Sequence, residues 1–298
     1  MQVSFLKYKK IYFIFSGILV LASLISLLVL GLKPGIDFTG GSILEISYLS
    51  ERPSNQEVRE SLADVDLGEV YFQPTEEKGL IIRMKDISEE THQKVIEKLS
   101  LENEIEELRF ESIGPVIGKE LKEKTKAVVA LSLLAIVAYI AFSFRKLTFP
   151  AKSWQFGLAA LVALFHDALI PLAVFSLLGH FYGIQVTIPV IVALLTTIGY
   201  SINNTVVVFD RIRENLLRKV GETFEETVDV SLNQTLSRSI NTSLTTLFVL
   251  TAIFFLGGET LKYFALTLIV GILAGTYSSL FLASPVLVTW LKWRKKIA

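Results

Sequence analysis

The sequence predicts an α-helical polytopic membrane protein with six transmembrane helices and a small α+β ferredoxin-like domain carried outside the membrane. Three observations predict it. Hydrophobic residues make up 51% of the chain against 19% charged, and they arrive in blocks rather than at amphipathic spacing. A hydrocarbon core about 30 Å thick takes roughly 20 apolar residues to cross as a helix. Windows of that scale, almost free of charge, are Ile11–Leu32, Ala127–Phe144, Trp154–Leu178, Gly183–Phe209, Ser239–Gly258 and Tyr263–Leu291. The long interval between the first two windows has the composition of a water-soluble protein.

The first window follows Lys7, Lys9 and Lys10, but it is too long for a cleaved leader and lacks a small-residue cleavage site. It reads as a retained anchor, so residues 1–34 form an N-terminal tail and first span. Next comes GIDFTGG, where Asp37, Thr39, Gly40 and Gly41 predict a tight turn: Asp and Thr bond nearby backbone, and glycine accepts positive φ. Residues 35–125 then alternate between strand and helix patterns. SILEISYL (Ser42–Leu49) is a strand, and SNQEVRESLAD (Ser54–Asp64) is a helix opened by a Ser54–Glu57 capping box. EVYFQP (Glu69–Pro74) and GLIIRMK (Gly79–Lys85) are strands around an acidic turn at Glu76–Glu77. Asp86–Ser100 is a second helix and Ile105–Ile113 a last strand. The order β-α-β-β-α-β is that of a split-βαβ unit, which hosts many functions and proves none.

Residues 126–298 hold the remaining five spans. Gly221–Ser237 is amphipathic with a Thr223–Glu226 capping box, which predicts a short cytoplasmic helix leading into the fifth span. Orientation follows from the short loops. Lys7, Lys9 and Lys10 precede the first span, Arg145, Lys146 and Lys152 separate the second and third, Arg211, Arg213, Arg218 and Lys219 follow the fourth, and Lys292, Arg294, Lys295 and Lys296 follow the sixth. The positive-inside rule puts these segments, and both termini, in the cytoplasm and the long loop outside.

Composition also excludes. The chain has no cysteine, so disulfides and thiolate chemistry are out, and its three histidines, His92, His166 and His180, are too scattered for a zinc site. Formal net charge is zero, with no basic arm interleaved with aromatics, so nucleic acid is not an expected partner. No Ser/His/Asp set or phosphate-cradling loop points to an enzyme, and no cofactor is expected.

The informative residues are polar ones inside apolar windows. An ionisable group in hydrocarbon costs roughly 3 kcal/mol on insertion scales and is a functional candidate by default. His166–Asp167 lies in the middle of the third window. In the fourth, helical spacing aligns Thr197, Tyr200 or Ser201, and Asn204. In the fifth, Arg238, Asn241, Thr242, Thr245 and Thr246 form a stripe with a cation at its cytoplasmic end. Two facing stripes would line a wet path; singly, such groups are ordinary helix–helix hydrogen bonds. Asp210, beside Arg211 and Arg213, reads as an interfacial charge. Gly271, Ala274, Gly275 and Ser278 form a close-packing face on the last span.

GIDFTGG after the first span, a ferredoxin-like loop, the HD pair of the third window, GYSINNTVVVFDRIREN in the fourth and RSINTSLTT opening the fifth, in that order, resemble the SecF family of bacterial protein-export subunits. The resemblance covers nearly the whole chain. It implies a multi-pass protein of the bacterial inner membrane, in the resistance-nodulation-division superfamily. It further implies pairing with SecD, work beside the SecYEG channel and the SecA motor on a preprotein, and use of a proton or sodium gradient. It places the coupling site at position 204 with Arg238 and Thr242. The family pattern has aspartate at 204, where this chain has asparagine, and an amide can neither release a proton nor pair as an anion with Arg238. Three readings stay open: an acid supplied by SecD, sodium held by amide and hydroxyl oxygens, or an introduced substitution that fixes one state. Rival functions are a small-molecule exporter subunit of the same superfamily and a non-transporting membrane scaffold.

Overall fold

The computed structural model describes residues 4–75, 78–143 and 153–297. Arg145, Lys146, Lys152 and the Glu76–Glu77 turn lie outside the described residues. The chain divides into a helical unit, Met1–Leu32, Val128–Leu177 and Ile188–Ala298, and an α/β unit, Lys33–Ala127 and Leu178–Thr187.

The α/β unit begins with a single helical turn, α2 (Ile36–Thr39), preceded in the chain by α1 (Lys9–Val29) of the helical unit. It continues as β1 (Gly41–Tyr48), α3 (Asn55–Ser61), β2 (Tyr71–Thr75), β3 (Gly79–Met84), α4 (Glu89–Glu102) and β4 (Ile105–Ile113). The strands form one antiparallel sheet in the order β2-β3-β1-β4. Strand alternation turns Leu44, Ile46 and Tyr48 of β1 and Leu80, Ile82 and Met84 of β3 toward one face. There they are buried with Val58 and Leu62 of the α3 segment and Val95 and Leu99 of α4. On the opposite parity Ile43 and Ile81 make a smaller cluster with Ile36 of α2. Pro74 is tolerated because β2 is an edge strand.

The helix starts follow their caps. Ser54 accepts a hydrogen bond from the Glu57 amide while Glu57 reaches back to the Ser54 amide, as the capping box requires. The second helix starts later than its expected beginning at Asp86, because Ser88 is the cap, accepting from the Thr91 amide at 3.3 Å. Asp86 instead accepts the Ser112 hydroxyl at 2.6 Å.

The helical unit contains α1 and parts of α5 (Pro115–Ser143) and α6 (Ser153–Tyr182). It also contains α7 (Ile188–Leu217), α8 (Phe224–Leu256), α9 (Glu259–Ser278), a π-helical turn at Ser279–Ala283, and α10 (Ser284–Ile297). Among the described residues six helices are long and apolar enough to cross a membrane, the last being the continuous run Leu261–Trp293 through the π turn.

One expectation is corrected. The short helix expected over Gly221–Ser237 is not separate from the fifth span. Capped by Thr223, it runs on into the span as α8, because no glycine or proline interrupts the chain between Phe224 and Leu256. Asn215 at the end of α7 is buried and donates to Ser231 Oγ and Gln234 Oε1, both at 2.8 Å, which fixes the return of α8 along α7.

α7 and α9 approach closely because two glycines let them. A Cβ on Gly271 would sit 2.5 Å from Thr197 Cγ2, and one on Gly275 would sit 2.9 Å from Ser201 Cβ. The small-residue face read from the last span thus receives the polar face of α7. Dispersion contact and hydrogen bonds then do the work that apolar burial does in water.

Candidate functional site

The polar residues of the helical unit gather around Asp167, on α6. Asp167 is 3% exposed and His166 1% exposed. The carboxylate is nonetheless fully engaged. Its Oδ1 lies 2.8 Å from His166 Nδ1, and its Oδ2 accepts the hydroxyl of Ser278 at 2.6 Å and that of Ser201. Three helices therefore contribute, and Ser278 stands at the last position before the π turn. A π turn carries an extra residue and is a recurrent device for placing functional groups. His166 Nε2 is buried and makes no hydrogen bond among the described residues. The ring of Tyr277 lies beside it, centroids 6.0 Å apart.

Asn204, one turn beyond Ser201, is 4% exposed, and its Nδ2 is buried without a partner among the described residues. Thr197, Ser201 and Thr205 are buried on the same helix. Tyr200 is half-buried and donates to Ser243 Oγ at 3.4 Å, and Ser243 shares a 2.6 Å hydrogen bond with Thr276.

The fifth-span stripe is elsewhere. Arg238, Asn241, Thr242 and Thr245 are exposed along α8, whereas Ser239 and Ser243 form that helix's buried polar face. The two stripes therefore do not face each other within this chain, and the expected path between them is not built. A helix offers each neighbour a face only about 100° wide, and the seam to α7 and α9 is already taken by Ser239 and Ser243. The stripe's hydroxyls bond back along their own helix: Thr242 Oγ1 donates to the Arg238 carbonyl at 2.8 Å and Thr245 Oγ1 to the Asn241 carbonyl at 3.0 Å. No acid pairs with Arg238 among the described residues.

At the end of α7 Asp210 is exposed, 3.7 Å from Arg213, and Arg211 pairs with Glu214 at 2.7 Å. These are surface charges. In the α/β unit the GIDFTGG turn closes on itself. Thr39 Oγ1 donates to the Gly35 carbonyl at 3.1 Å, and the Gly40 amide donates to the Ile36 carbonyl at 2.9 Å. Gly40 has φ +74° and Gly41 φ +132°. A Cβ on Gly40 would also lie 2.8 Å from Pro115 Cα, so both backbone conformation and close approach require glycine there. Asp37 is half-buried within α2. The Gly35 amide donates to the Val186 carbonyl, and the Val186 amide to the Lys33 carbonyl. A cleft of about 590 Å³ opens on this unit between Asp64, Asp66, Lys85 and Lys98, where Lys98 pairs with Asp64 and Lys85 with Asp66.

The sequence marks Asp167 and Asn204, places Ser278 only on a close-packing face, and does not single out Asn215. A buried carboxylate demands several donors, and that demand is the signal that picks out serines at small-residue helix contacts.

Comparison with known proteins gives one consistent result. The family described as protein export membrane protein SecD/SecF, C-terminal, matches residues 93–293, and the SecD/SecF GG motif matches residues 25–48. The protein translocase subunit SecF of Thermobaculum terrenum is 39% identical, covering 97% of this chain and 94% of the relative, and that of Desulfurispirillum indicum is 41% identical over 92% and 87%. The crystal structure of SecDF from Thermus thermophilus, described as a translocon-associated membrane protein, superposes with a TM-score of 0.85 at 33% identity. It covers 97% of this chain and 39% of that longer one. A super-membrane-facing form of SecDF gives a TM-score of 0.69 at 34% identity.

Proposed function

The chain belongs to the SecF family of protein translocase subunits, and from that premise we propose that it works paired with SecD, coupling an ion gradient to late steps of preprotein export. The observation that carries the pairing is the exposed stripe of α8, Arg238, Asn241, Thr242 and Thr245. A row of polar side chains headed by a guanidinium is disfavoured against lipid and favoured against a partner helix that brings acceptors. Thermus thermophilus SecDF, in which a chain like this one makes up 39% of the length, supports SecD as that partner.

In this reading the stripe and the buried face of α7 are two sides of one device. The partner brings the acid that meets Arg238, while Asn204 serves as a hydrogen-bonding group at the position where a carboxyl would titrate. The transported ion is a proton or sodium, and no cofactor takes part. Ion passage shifts the helices, and the α/β domain moves with them to draw the preprotein outward after the SecYEG channel and the SecA motor have delivered it. The ferredoxin-like reading of that domain is supported by its chain order β-α-β-β-α-β and sheet order β2-β3-β1-β4. The setting is the bacterial inner membrane, with both termini in the cytoplasm, an orientation that the loop charges support.

The experiment is gradient-dependent release of a preprotein from inner-membrane vesicles containing this chain and SecD. Arg238→Met should remove most of the gradient-dependent component while leaving the ATP-driven component intact. Unchanged release would sink the coupling role of the stripe.

A further inference from the structure

We propose that His166 and Asp167 form a proton-binding site inside this chain, in which His166 Nε2 takes the proton and Asp167 holds the resulting imidazolium. The inference rests on the gradient-coupled reading only for what the bound proton does; that the site binds one follows from the geometry.

The dyad sits in a setting that suits a base. Asp167 receives the Ser201 and Ser278 hydroxyls on one oxygen and faces His166 Nδ1 on the other at 2.8 Å. All three neighbours can act as donors, which is the arrangement a carboxylate needs to stay charged in the interior. Donation from Nδ1 selects the tautomer: the ring proton is on Nδ1, and Nε2 carries a lone pair. That lone pair is buried and has no hydrogen-bond partner among the described residues. An unsatisfied acceptor in a bundle core is costly. A proton from hydronium adding to it forms an Nε2–H bond, leaves water, and turns the His–Asp contact from a neutral–anion pair into an ion pair.

Among the described residues no other charged group pairs with the dyad. From α7 the group facing the dyad is Ser201, and from α9 they are Tyr277 and Ser278. From α1, Ser16 donates to the Tyr277 hydroxyl at 3.2 Å, and that hydroxyl donates to the Tyr12 carbonyl at 3.3 Å. Among the described residues the only ion pair of either member is the pair itself. Protonation of His166 therefore changes the charge of a three-helix junction whose last helix turns into its π segment at the next residue. The junction is fixed to α9 through Ser278 and to α7 through Ser201, the helix that also carries Asn204. With an amide at 204, this dyad supplies a titrating group that position 204 does not.

The test uses the full chain, labelled with ¹⁵N-histidine, in lipid bilayers. Of its three histidines, His166 is identified by the signal that disappears in His166→Gln, or in His166→Asn should the first not fold. Its spectrum should change from the Nδ1–H tautomer in an alkaline sample to the imidazolium in an acidic one. In Asp167→Asn the acidic sample should lack the imidazolium. A ring that carries its proton on Nε2, or that stays neutral throughout, overturns the site. Export in vesicles with SecD separates the two readings. His166→Gln should lose at least tenfold in gradient-dependent release, whereas Arg238→Met should leave the His166 titration unchanged. A titrating His166 whose replacement leaves gradient dependence intact overturns its role in coupling, while a titrating His166 beside an inert Arg238 leaves the site standing without the stripe.

Discussion

In the α/β unit the charged groups pair on the surface, Lys98 with Asp64 and Lys94 with Glu90, over a core of Leu44, Ile46, Leu80 and Ile82. The helical unit also buries polar groups. Asp167, His166, Asn204 and Ser201 are inside along with an apolar cluster that includes Phe156, Phe209 and Leu287, and Leu28, Phe248, Phe255 and Leu256 are outside. The same side chains are arranged for opposite solvents. Water rewards apolar burial and screens surface charge; lipid offers neither, so the helical unit is held by small-residue contact and hydrogen bonds. A buried polar group in the first unit is an exception to be satisfied, while in the second it is part of the fastening.

The comparison breaks most sharply if a core truncation costs little in the α/β unit. Leu44 is fully buried at the centre of β1, and Leu44→Ala removes its packing against both neighbouring strands and the helices. The expected loss is about 3 kcal/mol. Labelling tyrosine with ¹⁹F gives a reporter in Tyr48, buried in the same core, and urea titration of the full chain should show its unfolding midpoint fall.

In the helical unit the equivalent sensitivity is to added volume. Gly271→Val drives a branched side chain into Thr197, already 2.5 Å from an ideal Cβ, and should cost about 1 to 3 kcal/mol. Gly199, also in a membrane helix, has nothing within 4 Å of its ideal Cβ, so Gly199→Ala should be neutral or stabilising by up to about 1 kcal/mol. Thermal unfolding in lipid nanodiscs measures both. Equal losses at the two glycines would mean that backbone freedom, not the α7–α9 approach, is what glycine supplies.

The same contrast explains what was legible in the sequence. The length of apolar blocks located the six spans and periodicity the order of strands and helices, because both are local patterns that persist over many residues. The Ser54–Glu57 box located the start of α3 to the residue, although the helix ends at Ser61 rather than Asp64, and Ile105–Ile113 is the last strand as read. Helix ends in the membrane were less legible: α7 continues past Asp210 and α8 absorbs the expected short helix, since charge ends a hydrophobic window without ending a helix. At the candidate site the sequence exposed the unusual groups, Asp167 and Asn204, but not the partners of Asp167. Ser201 and Ser278 are separated from it by 34 and 111 positions, and only the α6–α7–α9 packing brings them together. Which face of α8 turns outward was likewise hidden, because Arg238–Asn241–Thr242 and Ser239–Ser243 are both polar rows at helical spacing.

The smallest effect tests the solvent argument itself. Hydrogen bonds from Lys98 and Lys85 hold the carboxyls of Asp64 and Asp66 below the ordinary aspartate value, and a hydrogen bond from Lys94 does the same for Glu90. A carboxyl whose value is lower folded than unfolded adds stability above the unfolded value and loses it as pH falls through the folded one. The urea midpoint reported by ¹⁹F-Tyr48 should therefore be flat from about pH 7 to about pH 5 and decline below about pH 4. The carboxylates of these pairs are exposed, so raising the salt to about 1 M, where the Debye length is about 3 Å, should shrink the decline. Asp64→Asn together with Asp66→Asn should flatten it further. A decline that ignores both salt and these substitutions would place its origin in buried groups and so dissolve the distinction between a unit that pairs its charges at the surface and one that also buries a charged pair in its core.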